Sequence, residues 1–419
     1  MGSHSQPAQP YVTPVAFLPA ISLLPACAMA DAAPTAPTVS AADLYAVVEQ
    51  ANCFTRALQS GLVTPTQVAS MIEPLWQALA TVATTAATTV VDAADDQLEA
   101  IPAIVAAQEF GPVMAAACAI YDDYFGVVRI DPLPLAPCVR EVARTSLALF
   151  ADLAVTLLDR AQLAQLSATM AQFFAVLAER TPTTNVAAAG QSDNVPARPL
   201  APCHALPATP ARYQQMWQAV DSTDRAWHEQ VAFYRWKVGH HFFNWCAIFC
   251  QDALMQATTA LTTGDPDAAA VHLGQAEGFL RGTTAAMWYA GDFPALLYQT
   301  IIRPSMVMPG APAGFSGDQN ADYNRMKSAK QALKSAVRTH YGAELAALPG
   351  ALRQALLHFH EADIEDNEHH LIIAAQKVGA DQSLAQKEWQ AELPAHVHRQ
   401  SAVDILRQMA EMKRREFVG

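Results

Sequence analysis

Helices packed on helices are the architecture this sequence predicts. Hydrophobic residues make up 52% of its 419 positions, alanine is heavily used, and glycine appears only 18 times. Alanine is the strongest helix former, and the β-branched residues are scattered rather than alternating, so strands find little support. Apolar residues recur at three- and four-residue spacing, which is the inner stripe of an amphipathic helix.

Residues 1–38 are rich in Pro, Ala and Thr and read as an extended or disordered arm. Their apolar stretch Val12–Cys27 resembles a signal segment, but prolines interrupt it and no Lys or Arg precedes it. Residues 39–180 read as an N-terminal helical region. Ser40-Ala41-Ala42-Asp43 has the spacing of an N-cap followed by a first-turn acid and predicts a helix through about Leu58. Thr64-Pro65 opens the next, to about Thr88, and further helices are predicted at about 93–108, 111–121, 138–160 and 162–180. Residues 181–212 hold six prolines and read as a linker or long loop. Residues 213–419 form a second helical region, predicted at 213–236, 239–262, 267–290, 321–340, 350–378 and 399–415. Gly264-Asp265-Pro266 breaks the chain and starts the third of these, and 304–320 is a Pro/Gly-rich loop suited to a site wall.

The formal charge of −13 repels phosphate backbones, which argues against nucleic acid as a partner. No run of about 18 apolar residues offers a membrane span. Seven cysteines, with no CxxC pair and one odd thiol, fit a reducing cytoplasm. Cys246 and Cys250 share a helix face and read either as small core hydrophobes or as a metal pair.

The groups that could do chemistry gather in the second region. His240 and His241 are adjacent at a helix start, where neighbouring side chains diverge by about 100° and cannot enter one pocket together. One reads as an acid–base group and the other as a core histidine. Arg281 and Arg303 lie in apolar surroundings, and each reads either as a two-pronged carboxylate binder or as half of a structural ion pair. Further on, Asp366 and His370 are an i, i+4 pair, so the carboxylate can accept the ring N–H of a metal-bound imidazole. The apolar run after His370 would suit the face under a flat macrocycle. The same residues also read as a solvated charged face followed by a buried turn. Asp366 and His369 have the acid-x-x-His spacing of di-iron proteins, but a di-iron site needs two such pairs and this chain offers one.

The order Gly239-His240-His241, Arg281-Gly282, Tyr289-Ala290-Gly291-Asp292, Tyr298, Ile302-Arg303-Pro304, Ser316-Gly317, then a histidine before Val378-Gly379, resembles the heme-dependent tyrosine and methyltyrosine hydroxylases. These are histidine-ligated heme aromatic oxygenases, together with tryptophan 2,3-dioxygenase. The likeness spans roughly residues 230–385 and implies an all-α, multi-helix bundle with a heme pocket between helices. By this resemblance His370 is the proximal heme ligand with Asp366 behind it, and His240 or His241 handles protons on the distal side. Arg281 or Arg303 would hold the substrate carboxylate, Ser316 and Gly317 would close the loop, and Tyr289 would line the substrate. Family members with a covalent heme carry H-x-x-x-C, whereas Ala374 stands at the cysteine position here. Non-covalent heme b is therefore implied. Tyr323 stands where such members place a second iron-binding histidine.

The function implied is hydroxylation of a tyrosine-like amino acid, ortho to the phenol, with hydrogen peroxide, in secondary metabolism and as a homodimer. One alternative is a mono- or dioxygenase acting on tryptophan or an indole, with dioxygen as possible oxidant. Another is a helical or heme-binding scaffold without turnover.

Overall fold

The computed structural model describes residues 21–23, 39–60, 65–88, 112–129, 135–181, 225–307, 317–342, 345–379 and 401–418. The described chain is helical apart from one small parallel pairing, in which β1 (Ile21–Leu23) lies beside β2 (Val127–Arg129). The predicted helix at 93–108, the linker 181–212 and Ser316 lie outside the described residues.

The N-terminal helices are α1 (Ala41–Gln59), α2 (Pro65–Thr88), α3 (Pro112–Phe125), α4 (Leu135–Asp152) and α5 (Arg160–Arg180). Ser40 caps α1 in a capping box with Asp43, as its spacing predicts. The predicted helices 138–160 and 162–180 meet differently: α4 stops at Asp152, and α5 begins at Arg160 behind a second capping box between Asp159 and Gln162. Asp159 accepts from the Gln162 N–H, and that local hydrogen bond sets the start of α5. α5 is also the one described helix long and apolar enough to cross a membrane, and 67% of its most apolar window is buried inside the protein. α1 packs along α5 and α2 along α4.

The second region contributes α6 (Arg225–Thr262), α7 (Pro266–Ala290), α8 (Ala321–Tyr341), α9 (Gly350–Lys377) and α10 (Ala402–Val418). α6 packs on α7 and α8, α7 on α9, and α10 on α9. The helix break predicted at Lys237–Gly239 does not occur, and α6 runs straight through it. Gly239 has a packing reason: a Cβ there would lie 2.5 Å from Ala290 Cβ, so the missing side chain lets α6 and α7 approach closely. Residues 238–250 of α6 are all buried, as for a helix surrounded by others. Between α7 and α8, residues 295–305 form a short helical segment containing a π-turn, Tyr298–Ile302. Pro304 supplies a reason for the wider turn, since it has no N–H for the carbonyl four residues back and its ring crowds that carbonyl.

Candidate functional site

The paired histidines of α6 diverge as helix geometry requires. His241 is 2% exposed, and its Nε2–H donates to the Phe125 carbonyl at 2.6 Å. Lys237, one turn earlier, donates to the neighbouring Tyr124 carbonyl, so the two side chains together satisfy carbonyls at the end of α3. His240 turns elsewhere. Its ring stacks on Phe125 with centroids 4.4 Å apart and packs 4.2 Å from Trp236. Its Nδ1–H donates to the Trp236 carbonyl at 2.6 Å, which leaves Nε2 unprotonated in the neutral ring. Burial pushes His240 down to about 3, with His241 and then His370 adding to the depression, so it is neutral at physiological pH. Burial likewise pushes His241 down to about 4, helped by Lys237.

The Asp366–His370 pair forms on α9 as its spacing predicts. His370 Nδ1–H donates to the Asp366 carbonyl at 3.0 Å, with the Asp366 carboxylate 3.5 Å away. The carboxylate is 3% exposed and is held from α7, where Thr284 donates to it at 2.9 Å and Thr283 Oγ1 lies 3.0 Å away. Burial alone would raise Asp366, but the charge and hydrogen bond of His370 outweigh it and hold the carboxyl well below its usual range. In turn, Asp366 outweighs the burial of His370 and raises it. These residues fit a heme held by one histidine. The ring nitrogen next to the carboxylate is committed, Nε2 is left to ligate, and the carboxylate strengthens the imidazole as a donor. Among the described residues no group of three or more His, Cys, Asp or Glu is arranged to hold a metal ion, and the Cys246–Cys250 pair is buried in the α6 core.

The other predicted residues are dispersed. Tyr289 is fully buried and donates to Asp152 at 3.1 Å, within a network in which Arg235 bridges Asp152 and Asp292. Arg281 is claimed by two carboxylates, Glu277 at 2.9 Å and Glu365 on α9. Arg303 lies beside Tyr298, whose phenol its charge pulls down against the larger upward push of burial. Tyr298 in turn meets Trp236 edge-to-face at 5.7 Å, so the π-turn abuts the His240 cluster. Gly317 lies at the start of α8 against Tyr323, whose ring contacts Phe243 of α6 at 5.9 Å.

Several site residues have no sequence signature. Phe125 lies beyond the helix predicted at 111–121, Trp236 sits within an aromatic stripe that reads as core, and Thr283 and Thr284 are neighbours in an apolar helix whose role appears only once α9 is beside α7. Arg129 is another: it pairs with Asp122 at 2.5 Å and Asp322 at 2.9 Å, and ties the end of α3 to the start of α8.

Fold and site together define a helical protein whose residues suit a single-histidine heme. The chain belongs to the SfmD 3-methyl-L-tyrosine peroxygenase family, whose model matches residues 55–355. It is 36% identical over 88 residues to the 3-methyl-L-tyrosine peroxygenase of Streptomyces lavendulae, a stretch covering 21% of this chain and 24% of that protein. A crystal structure of reduced SfmD matches with a TM-score of 0.43 at 21% identity, covering 83% of this chain and 97% of that one. The family match includes His240, His241, Arg303 and Tyr323 and ends before Asp366 and His370.

Proposed function

We propose that this protein is a heme-dependent peroxygenase that hydroxylates a tyrosine-like amino acid ortho to its phenol, with hydrogen peroxide as oxidant. The observation that carries the reading is a carboxylate-backed His370 on α9, with a neutral, buried His240 on α6 whose ionisation it disfavours. Family membership supports it. Non-covalent heme b is the form proposed, because Ala374 offers no thiol one turn after His370.

When bound, the heme supplies the redox chemistry that breaks the peroxide O–O bond. His370 Nε2 would hold it, and Asp366 would fix the ring's orientation and keep its other proton in place. His240 Nε2 is the base that takes a proton from peroxide and returns it to the departing oxygen, which leaves as water. Its depressed pKa keeps that nitrogen free to accept. Phe125 and Trp236 pack on the His240 ring and keep it largely out of water. Arg303 is the proposed partner of the amino acid's carboxylate, and Gly317 and Tyr323 are proposed to line the substrate. A homodimer in the cytoplasm is part of the same reading, and light scattering would test the dimer.

The test is turnover of the heme-loaded protein with L-tyrosine or 3-methyl-L-tyrosine and isotopically labelled hydrogen peroxide. One added oxygen atom carrying the peroxide label is expected. Two added oxygens from dioxygen would favour the dioxygenase alternative, and an unchanged substrate with inert heme would overturn the reading.

A further inference from the structure

The start of α8 is fastened to α6 by an amide whose orientation follows from its neighbours. Asn320 is 1% exposed and caps α8, its Oδ1 accepting from the N–H groups of Asp322 at 3.0 Å and Tyr323 at 3.1 Å. Its amide nitrogen must then face the other way, where it donates to the Tyr121 hydroxyl at 3.0 Å and to Asn244 Oδ1 at 2.6 Å. Asn244 consequently turns its own nitrogen away from Asn320. Among the described residues that nitrogen has no acceptor, and the residue is fully buried.

Its location gives this orphan donor significance. Asn244 lies one helical turn after His240 on α6, so both project from the same side. The two are also joined the long way round: His240 stacks on Phe125, Phe125 packs 4.5 Å from Tyr121, and Tyr121 is bonded to Asn320, which meets Asn244. Asn244 and His240 thus share one side of α6 and one chain of contacts through Asn320, Tyr121 and Phe125. Leaving the donor unsatisfied is unfavourable, and a buried donor beside a reactive group is what gives a site selectivity for an oxygen-bearing ligand.

We propose that Asn244 is a substrate-binding residue whose Nδ2–H donates to an oxygen acceptor of the bound aromatic amino acid, either the phenol or the carboxylate. This inference rests on the functional reading above. The experiment is calorimetric titration of heme-loaded wild type and Asn244→Ala with L-tyrosine, L-phenylalanine, tyramine and phenethylamine. The variant should bind L-tyrosine about tenfold more weakly or worse, the loss of one hydrogen bond from a desolvated donor. If the phenol is the acceptor, L-phenylalanine affinity is unchanged and tyramine is weakened. If the carboxylate is the acceptor, the pattern reverses. Phenethylamine, with neither oxygen, should be unaffected in both cases.

L-Tyrosine binding within twofold of wild type, or equal weakening of all four ligands, overturns the assignment. Should Asn244→Ala fail to fold, Asn244→Ser withdraws the amide nitrogen while keeping a hydroxyl for Asn320, and the same pattern is required of it. A wild-type protein that binds none of the four ligands refutes the functional reading itself. A wild type that binds L-tyrosine beside an equally avid variant refutes this inference alone.

Discussion

Acid should destabilise this protein through His241, and removing that one titration should be visible. The neutral ring donates Nε2–H to the Phe125 carbonyl in a fully desolvated place, and burial holds it near 4 against an ordinary 6.5. Below the unfolded value the unfolded chain takes up a proton that the folded chain refuses, so stability falls as pH falls, down to the folded value. Going from about pH 7 to pH 5 protonates almost all of the unfolded imidazole and little of the folded one, a loss of about 2 kcal/mol from this group. His240, pushed to about 3, adds a loss of similar size by the same route. His241→Gln keeps an N–H for the Phe125 carbonyl and has nothing to titrate. Chemical denaturation at each pH, followed by tryptophan fluorescence and far-UV circular dichroism with coincident transitions, reads the difference. The variant should lose about 2 kcal/mol less than wild type over this interval. Equal acid losses in the two proteins would show that the His241 ring is not held neutral by the fold, and the reasoning would fail.

Replacing Arg235 with Met should cost about 3–5 kcal/mol in denaturation, because Asp152 and Asp292 would be left buried without their shared cation. Gly239→Ala should cost about 1–3 kcal/mol by driving a methyl into Ala290, and Ala290→Gly in the same chain should restore part of it. Asp366→Asn should weaken heme binding about 10- to 100-fold in a hemin titration monitored at the Soret band. His370→Ala should abolish heme retention in that titration, while His369→Ala should retain it.

What the sequence could disclose of the fold depended on how local each signal was. The N-cap at Ser40 and the Gly264-Asp265-Pro266 start of α7 are made by residues within one turn of each other, and both stand where predicted. The α4–α5 boundary was missed because the pattern of apolar residues continues across it, while the Asp159–Gln162 capping box that decides it is a weaker mark. Gly239 misled in the opposite direction. Glycine inside a helix reads as a break, and only the proximity of Ala290, fifty-one positions later, shows why α6 tolerates it.

The site was legible where chemistry sits on one helix face. The i, i+4 spacing of Asp366 and His370 was enough to predict their contact, and the divergence of His240 and His241 follows from helix geometry. What the spacing cannot supply is the environment that separates the two histidines: Phe125 turns its ring to one and its carbonyl to the other, from a helix more than a hundred residues earlier. The same limit applies to charge. Arg281 and Arg235 are both arginines amid apolar residues, yet Arg281 lies at a third-exposed surface between two glutamates, whereas Arg235 is the buried one, shared by two aspartates. An arginine's availability to a substrate is set by carboxylates brought to it by tertiary packing. Arg281 would have to be released from Glu277 and Glu365 before its guanidinium could take a substrate carboxylate.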